Sequence, residues 1–264
     1  MIKQFKLWEM DIPACTDGVE CPNNVTAYIH ENGVRPAVIA FAGGAYAFRA
    51  PHEGVDVAEF YYENGYNAFS VDYRVAPNHH PAPLMDAQRA VKLVRLHADE
   101  WGVDPDHVFV IGFSAGGHLA GCWATMADIC CVGDELDEIS PRPNGAMLCY
   151  PVLSSDPTIA HIGSFKNLLG DRVDEFLSAF SVDKNVDETT CPCFLFHTME
   201  DATVPVQNTF RMLEALRENN IPTAAFLTPY GRHGVGLAEG VDGCEQWPAL
   251  TLDWLRRQCQ QKRT

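Results

Sequence analysis

Val108-Phe109-Val110-Ile111-Gly112-Phe113-Ser114-Ala115-Gly116-Gly117-His118-Leu119-Ala120 is the stretch on which the reading of the fold turns. Its opening apolar run, without a polar break, predicts a strand buried on both faces, and Leu119-Ala120 with Trp123-Ala124 open a helix. The chain from Gly112 to Gly117 must therefore turn sharply from strand to helix. In that setting Gly112-Phe113-Ser114-Ala115-Gly116 has the G-x-S-x-G form of a nucleophile elbow. The pattern is short and carries weight only because of its context. At such a turn Ser114 takes positive φ, and the two flanking segments approach so closely that a Cβ at 112 or 116 would clash. The Ser114 hydroxyl is then presented at the carboxyl end of the sheet, with the Ala115 N–H aimed at the same spot.

Outward from the elbow, apolar strands and amphipathic helices alternate. Strands are predicted at 35–41, 66–73, 146–150, 193–197 and 223–227, with helices at 53–64, 86–100, 206–219 and 244–260. Segments 5–12 and 24–30 alternate enough to be antiparallel edge strands around an Asp17-Gly18 turn. Residues 74–83 read as a proline-rich loop, incompatible with a helix or a central strand. The stretch 133–143 is an acidic loop. Residues 154–190 carry no strong strand signal and read as short helices forming a small lid over the carboxyl end of the sheet. The expected architecture is α/β: a mostly parallel central sheet, helices on both faces, one domain over 1–264.

An elbow serine needs a histidine to take its proton and an acid to fix that histidine's tautomer. Both are expected on loops after later strands, in the order serine, acid, histidine. After the 193–197 strand the loop reads Thr198-Met199-Glu200-Asp201-Ala202-Thr203-Val204-Pro205. Asp201 is the expected acid, with Glu200 as its neighbour and alternative, and either could instead be a solvated carboxylate or a helix cap. After the last strand, Pro229-Tyr230-Gly231-Arg232-His233-Gly234-Val235-Gly236 offers His233 between flexible flanks. His30, His52, His97 and His107 fall on edges, helix surfaces or strand starts, and His118 packs behind the elbow. His79, His80 and His161 could line a pocket, the alternative for each being an ordinary surface role. A turn at Ala42-Gly43-Gly44-Ala45-Tyr46, just past the 35–41 strand, lets backbone approach a ligand closely.

Five segments together resemble one family. They are Gly-Phe-Ser-Ala-Gly-Gly-His-Leu-Ala at the elbow, the Gly-Gly-Ala-Tyr turn, Asp-Tyr-Arg-Val-Ala-Pro from residue 72, His-Thr-Met-Glu-Asp-Ala-Thr-Val-Pro from residue 197, and Tyr-Gly-Arg-His-Gly-Val-Gly-Leu-Ala from residue 230. Together they look like the α/β-hydrolases of the acetyl-esterase group, most of all the capless or lightly lidded branch that removes acetyl groups from carbohydrates. The similarity runs from about residue 36 to the end, and five ordered motifs are far more specific than one. The resemblance implies Ser114 as nucleophile, Asp201 as acid and His233 as base. It also implies oxyanion donors at Gly44 and Ala45 beside Ala115. The family's turn is usually a glycine triplet, so Ala42 and Ala45 depart from it, and Ala45 narrows the space beside the acyl group by a methyl. Tyr46, Arg74, His79, His80 and His161 are the expected substrate contacts.

The activity so implied is that of a serine esterase for short acyl esters, acetyl first, acting on sugars such as acetylated xylo-oligosaccharides and needing no metal or organic cofactor. An amidase or peptidase on the same triad is the alternative within enzymes, and a catalytically silent ligand-binding module the alternative outside them. Bulk composition agrees: 264 residues with 47% hydrophobic content support a large core, and a net charge of −16 argues against nucleic acid or an anionic membrane as partner. The N-terminus lacks the apolar core of a secretory signal and no run is long enough to span a membrane, so a cytoplasmic protein is expected. The ten cysteines match no zinc spacing and are expected to be reduced thiols.

Overall fold

A computed structural model describes residues 1–9, 12–16, 18–127, 129 and 136–260. Asp17 of the first turn, the Cys130-Cys131 pair and residues 133–135 of the acidic loop lie outside the described residues.

Among the described residues eight strands form one sheet: β1 (Ile2–Lys6), β2 (Asn24–Tyr28), β3 (Arg35–Phe41), β4 (Asn67–Val71), β5 (Val103–Phe113), β6 (Gly145–Cys149), β7 (Cys193–Thr198) and β8 (Thr223–Thr228). Their order is β1-β2-β4-β3-β5-β6-β7-β8. The first two pair antiparallel with each other and β2 with β4; every pairing from β4 to β8 is parallel. The expected α/β-hydrolase architecture is the one observed.

Because successive strand residues face opposite sides, each apolar run feeds two cores. Ile39, Val110, Leu148 and Leu195 meet α2 (Ala82–Leu96), α4 (Ala115–Thr125) and α7 (Gln207–Glu218) on one side. Val38, Phe109, Ile111 and Phe194 meet α1 (Val55–Glu63) and α8 (Trp247–Gln260) on the other. Helix α4 is buried along its whole length, which explains why its sequence is apolar all round. The strand order reverses between β3 and β5. The crevice at their carboxyl ends is where ligands bind in open α/β sheets, and it receives both the Ala42–Tyr46 turn and the elbow.

Several boundaries differ from expectation. The first strand runs over Ile2–Lys6 and not 5–12, because Leu7 and Trp8 leave the edge to bond Asn23 and Asp86. Helix α2 starts inside the proline-rich stretch, where Pro83 in the first turn gives up no hydrogen bond. It ends at Leu96, and the short α3 (Ala98–Trp101) follows before Gly102 turns left-handed at φ 59°. The closing helix begins at Trp247, after a turn that uses Gly243 at φ 78°. Cys15 and Cys21 correct the expectation of reduced thiols. Their segment folds back across the Pro77-Asn78 turn, bringing the two Cα atoms to 6.4 Å in a disulfide. Residues 154–190 hold short helices as expected: α5 (Ile162–Leu169), α6 (Val173–Phe176) and two 3-10 turns. Among the described residues no helix is long and apolar enough to cross a membrane.

Candidate active site

Ser114 has φ 53° at the junction of β5 and α4. A Cβ on Gly112 would lie 2.0 Å from the Gly116 carbonyl oxygen, and one on Gly116 2.1 Å from that of Phe41, so only glycine fits either place. The Ser114 hydroxyl lies 2.8 Å from His233 Nε2, and His233 Nδ1 lies 2.6 Å from Asp201 Oδ2. A carboxylate only accepts, so Nδ1 carries the proton and Nε2 is left to accept from the serine. Three residues from three loops thus form one hydrogen-bonded line.

Asp201 is the better placed of the two acids. Its Oδ1 accepts the N–H groups of Thr203 and Val204, both at 2.9 Å, and His197 Nε2 stands 3.3 Å from Oδ2. Burial alone would raise its pKa. The hydrogen bonds from His197, His233 and the Val204 amide outweigh burial and hold the carboxyl well below the usual carboxylate range. It stays ionised, which is what orienting an imidazole requires. Glu200 is exposed and accepts the Gly231 N–H at 3.4 Å.

The turn after β3 passes directly against Ser114: a Cβ on Gly43 would lie 3.0 Å from the Ser114 Cβ. The Gly43 N–H is taken by Glu53 Oε2 at 2.9 Å, so it does not serve an oxyanion. Gly44, Ala45 and Tyr46 all have positive φ, which curls the next two amides away from a strand-like path. The Gly44 carbonyl caps this curl by accepting from Ala47 and Phe48, and Asn167 from the 154–190 segment donates to the Ala45 carbonyl at 2.9 Å.

The five expected substrate contacts separate. Tyr46 is corrected: it is 1% exposed, and its hydroxyl meets His118 Nδ1 at 2.8 Å, while His118 Nε2 donates to the Phe180 carbonyl. It fastens the turn to the elbow helix. Arg74 is corrected as well. Fully buried, it makes a two-pronged pair with Asp86 at 2.9 and 2.8 Å and also donates to the Pro13 carbonyl, so nothing of its guanidinium reaches a substrate. His79 bonds the Asn167 carbonyl at 2.7 Å, and His80 lies half-buried against Phe180, where burial pushes its pKa down to about 4. Both tie the proline-rich loop to the 154–190 segment. His161 alone of the five is brought toward the line of three: burial lowers its pKa, and the charges of His233 and Asp201 act on it in opposite directions.

Three residues outside the expected set bear on the site. Glu53 and Tyr150 join the two loops that carry the Gly44 amide and His233. Phe48, 61% exposed, lays its ring against the turn: a Cβ on Gly44 would meet its Cδ2 at 3.1 Å. An aromatic two residues beyond the Gly-Gly-Ala-Tyr motif is the only sequence signal for Phe48, and its exposure is invisible there.

Comparisons with known proteins agree with this fold. Residues 27–145 match the family described as BD-FAE, and residues 162–262 match the prolyl oligopeptidase family. An endo-1,4-beta-xylanase B of Butyrivibrio fibrisolvens is 37% identical over 81% of this chain and 35% of its own length. An acetylxylan esterase of Xylanibacter ruminicola is 29% identical over 88% of this chain and 48% of its own. The chain thus spans between about a third and a half of the curated relatives it matches. Among solved structures, an acetyl ester-xyloside bifunctional hydrolase from Caldicellulosiruptor lactoaceticus superposes with a TM-score of 0.91 at 37% identity, covering 97% of this chain and 96% of that one. With that relative matched over nearly the whole of both chains, the chain belongs to the α/β-hydrolase family.

Proposed function

We propose that the chain is a serine esterase that removes acetyl groups from carbohydrates, with acetylated xylo-oligosaccharides as the substrate class. The observation that carries this reading is the hydrogen-bonded line from Ser114 through His233 to ionised Asp201. Ser114 Oγ attacks the ester carbonyl carbon as its proton passes to His233 Nε2. The carbonyl oxygen, now negative, is received by the Ala115 N–H and by those of Gly44 and Ala45. Collapse breaks the bond to the sugar oxygen, which leaves with the proton from His233. Water then repeats the cycle on the acetyl-serine, releasing acetate. The methyl of Ala45 beside the acyl position favours a short acyl chain. The exposed face of Phe48 next to Gly44 offers a pyranose ring a surface to pack on. In this reading residues 1–264 are one hydrolase domain, with 154–190 as a small lid.

Ser114→Ala should lower acetate release from both an aryl acetate and acetylated xylo-oligosaccharides by on the order of 10⁴-fold or more. Undiminished hydrolysis contradicts the proposal. The match of residues 162–262 to the prolyl oligopeptidase family favours an amide-cleaving reading of the same three residues. Faster turnover of aminoacyl amides than of acetyl esters would select it. For location we propose the cytoplasm, where thiols such as Cys149 and Cys193 stay reduced. The Cys15–Cys21 bond argues for an oxidising compartment, and cell fractionation with thiol titration decides between them.

A further inference from the structure

Buried side chains outside the reacting line connect the turn at Gly43–Ala45 to the loop of His233. The 3-10 turn Pro51–Glu53 places the Glu53 carboxylate, 3% exposed, behind the turn. Glu53 Oε2 accepts the Gly43 N–H at 2.9 Å, and Oε1 accepts the Tyr150 hydroxyl at 2.7 Å. The Tyr150 oxygen accepts the Gly236 N–H at 2.9 Å, and its ring stands edge-on to the His233 imidazole with centroids 5.0 Å apart. His52 reaches the same loop, its Nε2 lying 3.2 Å from the Gly234 carbonyl.

Two features show that this linkage is held against opposing forces. A carboxylate so deeply buried is costly unless every oxygen is bonded, and each Glu53 oxygen holds one donor, with His52 Nε2 standing 3.8 Å from Oε1. Tyr150 has φ 36°, a left-handed conformation that disfavours any side chain but is enforced here at the end of β6. Strain and a buried charge meet at one hydrogen bond.

We propose that Glu53 and Tyr150 are positioning residues that hold the oxyanion amides and the base histidine in register against Ser114. The proposal rests on the esterase reading above. By fixing the Gly43 amide, Glu53 sets the direction of the two amides that follow. By bridging to Gly236 and buttressing His233, Tyr150 carries that register to the base. Misalignment by a fraction of an ångström costs most where charge develops, so the loss should fall on the transition state and spare ground-state binding.

The experiment compares wild type, Ser114→Ala, Tyr150→Phe, Glu53→Gln, Glu53→Ala and Glu53→Ala/Tyr150→Phe on an aryl acetate, together with inhibition by an aryl trifluoromethyl ketone. If wild type is inactive, or Ser114→Ala is as active as wild type, the esterase reading fails and takes this proposal with it. With that reading standing, Tyr150→Phe should lower kcat by about 10- to 100-fold and weaken the ketone in parallel, with KM within about twofold. Its Tm should shift by only a few degrees, on the order expected for one lost hydrogen bond. Glu53→Gln, which can still accept from Gly43, should recover much of what Glu53→Ala loses, and the double variant should be no slower than Glu53→Ala. The proposal is overturned if Tyr150→Phe keeps kcat within about twofold of wild type, if its loss lies in KM with ketone affinity unchanged, or if the two single losses multiply. Should Glu53→Ala fail to fold, Tyr150→Phe and Glu53→Gln decide the matter.

Discussion

At the scale of single residues, the division of labour around His233 is the sharpest feature of the site. Asp201 spends one oxygen on two backbone amides and the other on His233, so its carboxylate cannot swing away from the imidazole. Asp201→Asn preserves the volume but offers His233 Nδ1 a group that can donate, favouring the tautomer in which Nε2 cannot accept. Esterase turnover should fall by on the order of 10⁴-fold, with the fold intact by circular dichroism. Phe48→Ala gives a different pattern: kcat/KM for acetylated xylo-oligosaccharides should fall by about 3- to 10-fold while methyl acetate, which has no ring to pack, is unaffected. Equal effects on both would remove Phe48 from substrate contact. Ser114, Asp201 and His233 were legible in the sequence because each follows a strand in a loop of distinctive residues. Tyr46 and Arg74 misled because their motif conveys that they matter without conveying that they are buried. Glu53 was illegible for the opposite reason: its partners lie 10 and 97 residues away, and nothing local marks a carboxylate inside a helix-like stretch as buried.

At the scale of elements, the elbow depends on backbone packing against backbone. Gly116→Ala places a methyl 2.1 Å from the Phe41 carbonyl oxygen, which neither β3 nor α4 can move to relieve. Urea denaturation should show a loss of about 3 kcal/mol or more. Gly163→Ala in α5 is the matched control, because the nearest atom to its new Cβ is a His161 ring carbon at 3.6 Å. That helix position should tolerate alanine or gain up to about 1 kcal/mol. Most central strands were readable to within a residue or two, since apolar runs bounded by turns have few other interpretations; β5 is the exception, starting at Val103 and not at Val108. Element ends were less so. The first strand is set by pairing with β2, and α2 begins at Ala82 between two prolines that local rules assign to a loop.

At the scale of the whole molecule, the same burial that builds the two cores links stability to pH. His118 sits between Tyr46 and Phe180 with its pKa pushed down to about 4 by burial, and His80 against Phe180 is lowered to about 4 by the same cause. Both ordinarily titrate at 6.5, so the unfolded chain takes up protons that the folded chain refuses. Their contribution is complete above 6.5 and is lost as pH falls from there to about 4. The urea midpoint should decline over that window, and His118→Gln should flatten the decline; an unchanged slope would show that His118 accepts a proton without unfolding. The proposed chemistry has residues 114, 201 and 233, remote in sequence, acting as one unit on an ester. Its most direct test is rapid quenching of the enzyme with an aryl acetate, followed by peptide mass spectrometry. The account predicts a stoichiometric burst of phenol with the acetyl group on Ser114, abolished in Ser114→Ala and His233→Ala. Steady hydrolysis with no acetyl group on Ser114, or a burst that survives Ser114→Ala, would contradict it.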